Sequence, residues 1–165
     1  MSRGFVLVEV TIAYLVLTLA LVALLPVFMI AIRAGAKTEH LQAATYLSTE
    51  LLEEIRMRKW DETTASSQLH IDNPSAIGRD GTESATDKTT YNDIDDFNGW
   101  SEAPARDPLN VPLPGFSAYT RTVAVGYVDS NLNASGVRTD FKKVTVCTQT
   151  ANINSICLQT VFTNR

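Results

Sequence analysis

The chain has 165 residues, a formal net charge of −4 and a pI near 5.1. That length supports one hydrophobic core rather than two. The acidic balance works against a nucleic-acid partner, because Arg56, Arg58, Lys59, Arg138, Lys142 and Lys143 make too thin a basic patch to reverse it.

The N-terminus is apolar over a membrane-crossing length. Phe5 to Ile32 spans 28 residues with one charged side chain, Glu9, and one helix breaker, Pro26. A membrane helix needs about 20 such residues, and a helix with no polar face is unusual in a soluble domain. A cleaved secretory signal would have a shorter apolar region of roughly 7–15 residues ahead of its small-residue site. Ala34-Gly35-Ala36 imitates such a site but lies far behind the apolar start. A lone carboxylate in lipid is costly, so Glu9 reads as functional, although a helix N-terminus also favours an acid. Arg3 before the segment and Arg33 and Lys37 after it leave the orientation undecided by charge.

Helix formers continue to Trp60. Ala44, Leu47, Leu51, Ile55 and Arg58, with Leu41 and Leu52 beside them, recur at helical spacing and predict an amphipathic continuation over 33–60. Glu39, Glu50, Glu53 and Glu54 are expected opposite or beside that stripe, with Arg56, Arg58 and Lys59 near the dipole's negative end.

From 61 to 115 the periodicity fails. Thr, Ser, Asp, Asn, Gly and Pro dominate, which predicts a long irregular surface connection. Within it Asp93, Asp95, Asp96, Phe97 and Trp100 form an acidic, aromatic-studded stretch, the candidate interaction loop.

The remainder, 116–165, predicts a small antiparallel sheet of three or more strands, giving an α+β fold with one sheet face on the helix stripe. Tyr119, Arg121, Val123, Val125 and Tyr127 alternate within a strand expected over Phe116–Asp129. Two further strands are expected over Phe141–Thr148 and Ile156–Phe162, about a turn at Ala151–Asn154. Cys147 and Cys157 stand symmetrically about Asn152, so the hairpin places them opposite one another and predicts a disulfide. Two inert thiols are the plain alternative. Redox chemistry favours closer spacing, and two thiolates alone make a weak zinc site.

No catalytic constellation is legible, and no enzyme activity is expected. Neither His40 nor His70 is spaced to activate a serine or cysteine. Two oxygen-rich stretches are candidate calcium loops: Asp129, Asn131, Asn133, Ser135 and Asp140, or Asp93, Asp95 and Asp96. In the first, Ala134 replaces the turn glycine and Asp140 is shorter than the usual glutamate, so a polar hairpin is the simpler reading. In the second, a solvated acidic loop anchored by Phe97 and Trp100 is the simpler one. No cofactor is assigned.

The N-terminal segment resembles the prepilin signal shared by type IV pilins and type II secretion pseudopilins. The resemblance makes residues 1–4 a leader, cut by a membrane prepilin peptidase between Gly4 and Phe5, with N-methylation of Phe5. Glu9 then matches the family's glutamate and Pro26 its helix-breaking proline, both of them assembly residues. Glu9 would pair with the Phe5 amine of a neighbouring subunit and set the axial register. Pro26 would let the helix melt locally on leaving lipid. A C-terminal disulfide is common in the family.

Leu51-Leu52-Glu53-Glu54-Ile55 leading to Trp60, the Asp93–Gly99 motif and the strand after it also resemble MshD-type minor pilins of mannose-sensitive haemagglutinin pili. That family's acidic motif usually has tyrosine at Phe97 and often histidine at Asn98. The resemblance implies a single-pass inner-membrane protein, N-terminus cytoplasmic and C-terminal domain periplasmic, later held in a pilus filament near its tip. The implied partners are major and other minor pilins, the prepilin peptidase, the inner-membrane assembly platform and the bilayer. A minor pseudopilin of a type II secretion system is the alternative.

Overall fold

A computed structural model describes residues 3–63, 70–81 and 83–164, with side chains from residue 7 onward. The leader residues Met1 and Ser2 lie outside the described residues, and of the Gly4–Phe5 junction only the backbone is described.

One helix, α1, runs Arg3–Arg56 and continues through Pro26. It ends at Arg56 rather than near Trp60. There Met57 and Arg58 donate their amides to the carbonyls of Glu54 and Ile55 at 3.2 and 3.0 Å, a tightened last turn. The chain then leaves the helix because Lys59 bridges to Asp93, its carbonyl accepting the Ile94 amide at 3.0 Å. Residues up to Glu39 form one compact unit, and those from His40 onward form the other.

In the second unit, the helix from His40 packs on a four-stranded antiparallel sheet of order β1-β2-β3-β4. The strands are β1 (Ser101–Glu102), β2 (Thr120–Tyr127), β3 (Phe141–Thr150) and β4 (Ile153–Thr163). Period-two alternation turns Arg121, Val123, Val125 and Tyr127 of β2, and Lys142, Val144, Val146 and Thr148 of β3, to the buried side. They meet a helix stripe in which Ala44, Leu47, Leu51 and Ile55 have no exposed surface. Each buried aliphatic side chain of this kind contributes about 1.5–3 kcal/mol. Ser48 and Thr148 hydroxyls hydrogen-bond across the same interface at 2.7 Å.

The expected Phe116–Asp129 strand begins at Thr120 and ends at Tyr127, preceded by a turn in which the Tyr119 amide bonds Phe116. The last two strands are longer than expected. They join through a tight turn at Ala151 and Asn152 because the ladder zips on to Thr150↔Ile153 beyond a register shift.

The stretch 61–115 differs most from expectation. It is not only a surface connection: it contributes β1, two single-turn 3-10 helices (Lys88–Thr90 and Asp95–Phe97) and a large part of the core. Tyr91, Ile94, Phe97 and Trp100 pack with Leu51, Ile55, Val123 and Val144 in one cluster. Tyr91 meets Phe97 and Trp100 edge-on, with centroids 5.0 and 5.5 Å apart. Gly99, at φ 78°, lets the chain turn from the second 3-10 helix onto β2. Its amide bonds the Val123 carbonyl at 3.1 Å, and the Val123 amide bonds Trp100.

Candidate functional site

The apolar half of α1 is a surface that the rest of the described chain leaves uncovered. Its most apolar 18-residue window has mean hydropathy 2.9 and is 0% buried. Leu7 is 67% and Ile32 71% exposed, and the large apolar side chains between them are all at least half exposed. The Thr11 and Thr18 hydroxyls are spent internally, donating to the carbonyls of Val8 and Leu15 at 2.8 and 2.9 Å. A helix with its threonine hydroxyls bonded to its own backbone suits lipid. Glu9 and Pro26 both stand exposed on this helix.

The second feature is a pair of buried charge clusters between the helix end and the sheet. Lys142 is fully buried on the inward face of β3, in phase with Val144 and Val146. Its ammonium donates to Asp95 at 2.6 Å, to the Trp60 carbonyl at 2.7 Å and to Asp61 at 3.3 Å. It also sits 4.0 Å from the Trp60 ring centroid. Burial pushes the Asp61 carboxyl up, but donors from Thr63 and Ser75 outweigh it and hold the group at about 2. Burial of Asp95 outweighs Lys142 and raises that carboxyl to about 6.

Asp93 and Asp96 organise the adjoining turn. Asp93 accepts the amides of Asp95 and Asp96 at 2.7 and 3.3 Å. Asp96 accepts those of Asn92 and Asp93 at 2.8 and 3.0 Å. Burial, with the nearby charges of Asp95 and Asp96, raises Asp93 to about 7. These carboxylates therefore serve as caps for a chain segment that lacks regular backbone pairing.

The other cluster joins Glu54 on α1, Lys88, Glu102 and Arg121. Lys88 reaches Glu54 at 2.7 Å and the Arg106 carbonyl at 3.0 Å. Arg121 pairs with Glu102 and with Glu50, the latter at 3.0 Å, and donates to the Leu47 carbonyl at 3.0 Å. Trp100 donates its indole N–H to Glu102 at 3.2 Å. Burial raises the Glu54 carboxyl, opposed by Lys88. Glu54 thus lies on the packed side of the helix, beside the stripe, one of the two places expected for it. These ionic partners connect elements far apart in sequence, and removing one partner of such a pair is strongly destabilising.

The expected interaction loop is corrected by this packing. Asp93, Asp95, Asp96, Phe97 and Trp100 are each no more than 3% exposed, so their side chains face the core rather than a partner. Lys142 likewise leaves the surface basic patch.

Neither calcium set converges. Asp93, Asp95 and Asp96 spend oxygens on backbone amides and Lys142. Asp129 caps the amides of Asn131 and Asn133 at 2.8 and 2.9 Å, closing a hairpin loop. Ser135 bonds Val137, and Asp140 instead accepts from Asn164 at 2.9 Å. No group of three or more His, Cys, Asp or Glu side chains is placed to hold a metal among the described residues. His40 bridges Tyr119 at 2.8 Å and Asn152 at 3.1 Å, tying α1 to the sheet. Cys147 and Cys157 are joined in a disulfide between directly paired positions of β3 and β4.

Sequence reasoning missed the ionic partners Lys88, Glu102, Asp61 and Lys142. One signal was available: Arg121 is in phase with Val123 and Val125, and Lys142 with Val144 and Val146, which assigns both to the inner face. Lys88 and Asp61 lie where no periodicity exists to place them.

Compared with known proteins, the chain matches no family model, no curated sequence and no solved structure. Its architecture, one long N-terminal helix on a small antiparallel sheet, is of the type IV pilin-like kind.

Proposed function

We propose that this chain is a structural subunit of a type IV pilus, a minor pilin akin to those of mannose-sensitive haemagglutinin pili. The observation that carries the reading is the division of α1. One half is apolar, exposed and bears Glu9 and Pro26, and the other is covered by the sheet. Exposed apolar helix needs either lipid or other helices around it. A subunit that waits in the inner membrane and then enters a filament uses the same surface for both. Glu9 pairs with the Phe5 amine of the neighbouring subunit, because an unpaired carboxylate there is costly. The N-terminus lies on the cytoplasmic side, where the prepilin peptidase removes residues 1–4 and Phe5 is methylated. The sheet domain lies outside the cytoplasm, where an oxidising compartment supports the Cys147–Cys157 bond.

Quantitative mass spectrometry of sheared filaments and of the membrane fraction tests this, following the peptide that begins at Phe5. The expected result is N-methylated peptide in filaments at a small ratio to the major subunit. Processed peptide confined to the membrane would favour a type II secretion pseudopilin, and unprocessed material would overturn the family reading. Glu9→Ala is expected to insert in the membrane normally but to enter filaments poorly. Normal incorporation would refute the register role of Glu9.

A further inference from the structure

The two edges of the sheet are treated differently. At one edge, β1 is only two residues long and carries the inward charge Glu102. The neighbouring chain continues the cover along β2, with Gly99, Trp100 and the Asn98 side chain bonding Val123 and Val125. Short strands and inward charges are the usual protections of a sheet edge. At the other edge, β4 is 11 residues long, INSICLQTVFT, with no charged residue and no proline.

The ladder register tells which groups of β4 point away from β3. Phe141 accepts the Val128 amide on the β2 side, whereas Asp140 accepts the Asn164 amide on the β4 side. Backbone groups alternate in direction along an antiparallel strand. In the register Phe141↔Thr163 to Cys147↔Cys157, the N–H and C=O groups of Cys157, Gln159, Val161 and Thr163 therefore point away from β3. Among the described residues no hydrogen bond reaches them. At ~3.4 Å per residue they form an open edge of about 20 Å.

The apolar face beside that edge is also unfinished. Ile156 and Phe162 pack against the core clusters yet stay only half-buried, as does Leu158 between them. In contrast, Val144 and Val146, one strand inward, are completely buried. A further strand would finish this cover as β4 does for β3.

We propose that β4 is a strand-addition site for an extended, uncharged segment of a partner protein, with apolar side chains at alternate positions. Backbone hydrogen bonds to Cys157, Gln159, Val161 and Thr163 supply the affinity. The alternate apolar side chains lie on the α1 side, beside Ile156, Leu158 and Phe162. An uncharged partner is favoured because β4 offers no side-chain charge to pair with, and burying an unpaired charge is costly. The Cys147–Cys157 bond holds β4 in register with β3 while its other edge is used. This inference does not depend on which filament the chain joins.

The test uses the full chain in detergent micelles and a fluorescent eight-residue peptide of alternating threonine and valine. The control is the same peptide N-methylated on the edge that would face β4. Expected are saturable binding of the first peptide, at least tenfold weaker binding of the second, and slowed hydrogen exchange at Cys157, Gln159 and Val161. Gln159→Pro removes an outward amide without touching a bond to β3, and is expected to abolish binding. If that variant misfolds, the N-methylated comparison on the unaltered chain decides alone. Equal binding of both peptides, or no protection of these amides, overturns the proposal. Sedimentation showing a dimer whose β4 amides are already protected without peptide also overturns it, in favour of pairing between two copies.

Discussion

Replacing Lys142 by methionine tests whether the buried charges hold the helix end to the sheet. The substitution keeps most of the side-chain length but removes the ammonium that pairs with both Asp61 and Asp95. Asp61 keeps its donors from Thr63 and Ser75. Among the described residues Asp95 then keeps the Ser75 hydroxyl at 3.2 Å as its side-chain donor, so it must protonate or remain a buried charge. Asp95 is already raised to about 6 beside Lys142, so most of the cost of its burial is present in the intact chain. Holding it fully neutral at pH 7 adds about 1.4 kcal/mol, at 1.36 kcal/mol per unit. At pH 5 Asp95 is largely protonated in either chain, so this added cost almost disappears. Urea unfolding of the full chain in micelles, followed by tryptophan fluorescence, measures it, because the Trp60 ring lies 4.0 Å from the ammonium. A loss below about 1 kcal/mol at pH 7, or one that does not shrink at pH 5, would refute the reasoning.

Three further outcomes follow from the same packing. Asp93 and Asp95 have folded pKa values raised to about 7 and about 6, so the folded state binds more protons than the unfolded one between roughly pH 4 and 7. Stability from these groups therefore increases as pH falls through that window. Below it, Asp61, held at about 2, gives the opposite slope because its ionised form is the stabilised one. Asp93→Asn keeps an acceptor for the Asp95 amide, and is expected to stabilise the chain at pH 7.5 while flattening the upper slope in pH-dependent urea titrations. Replacing both Cys147 and Cys157 by serine opens a loop with sequence separation 10. The expected loss is about 2–3 kcal/mol in denaturant midpoint analysis, with faster exchange concentrated in β4. Phe97→Ala empties a site with no exposed surface beside Tyr91 and should cost about 3–5 kcal/mol by thermal or urea unfolding.

Regular patterns made the helix and strands legible. The apolar run, the stripe through Leu47, Leu51 and Ile55, and the alternation around Val123 and Val144 are local patterns that repeat with the period of the element they form. The cysteine pairing was legible for the same reason, since a symmetric hairpin fixes which residues oppose one another. The stretch from Asp61 to Pro114 was not legible, because its residues find partners by long-range packing rather than by period.

The sequence alone therefore determined a membrane-length helix, an amphipathic continuation and a disulfide-clipped antiparallel sheet. Each follows from hydrophobic spacing over neighbouring residues. Tertiary structure alone decided that the side chains of Asp93, Asp95, Asp96, Phe97 and Trp100 turn inward, that Lys88 and Lys142 become buried ammonium groups, and that β4 lies at the end of the strand order. Those outcomes depend on which distant atoms meet. Burying a charge is tolerable only when a counter-charge or hydrogen-bond donor arrives from elsewhere in the chain, and linear spacing carries no record of that arrival.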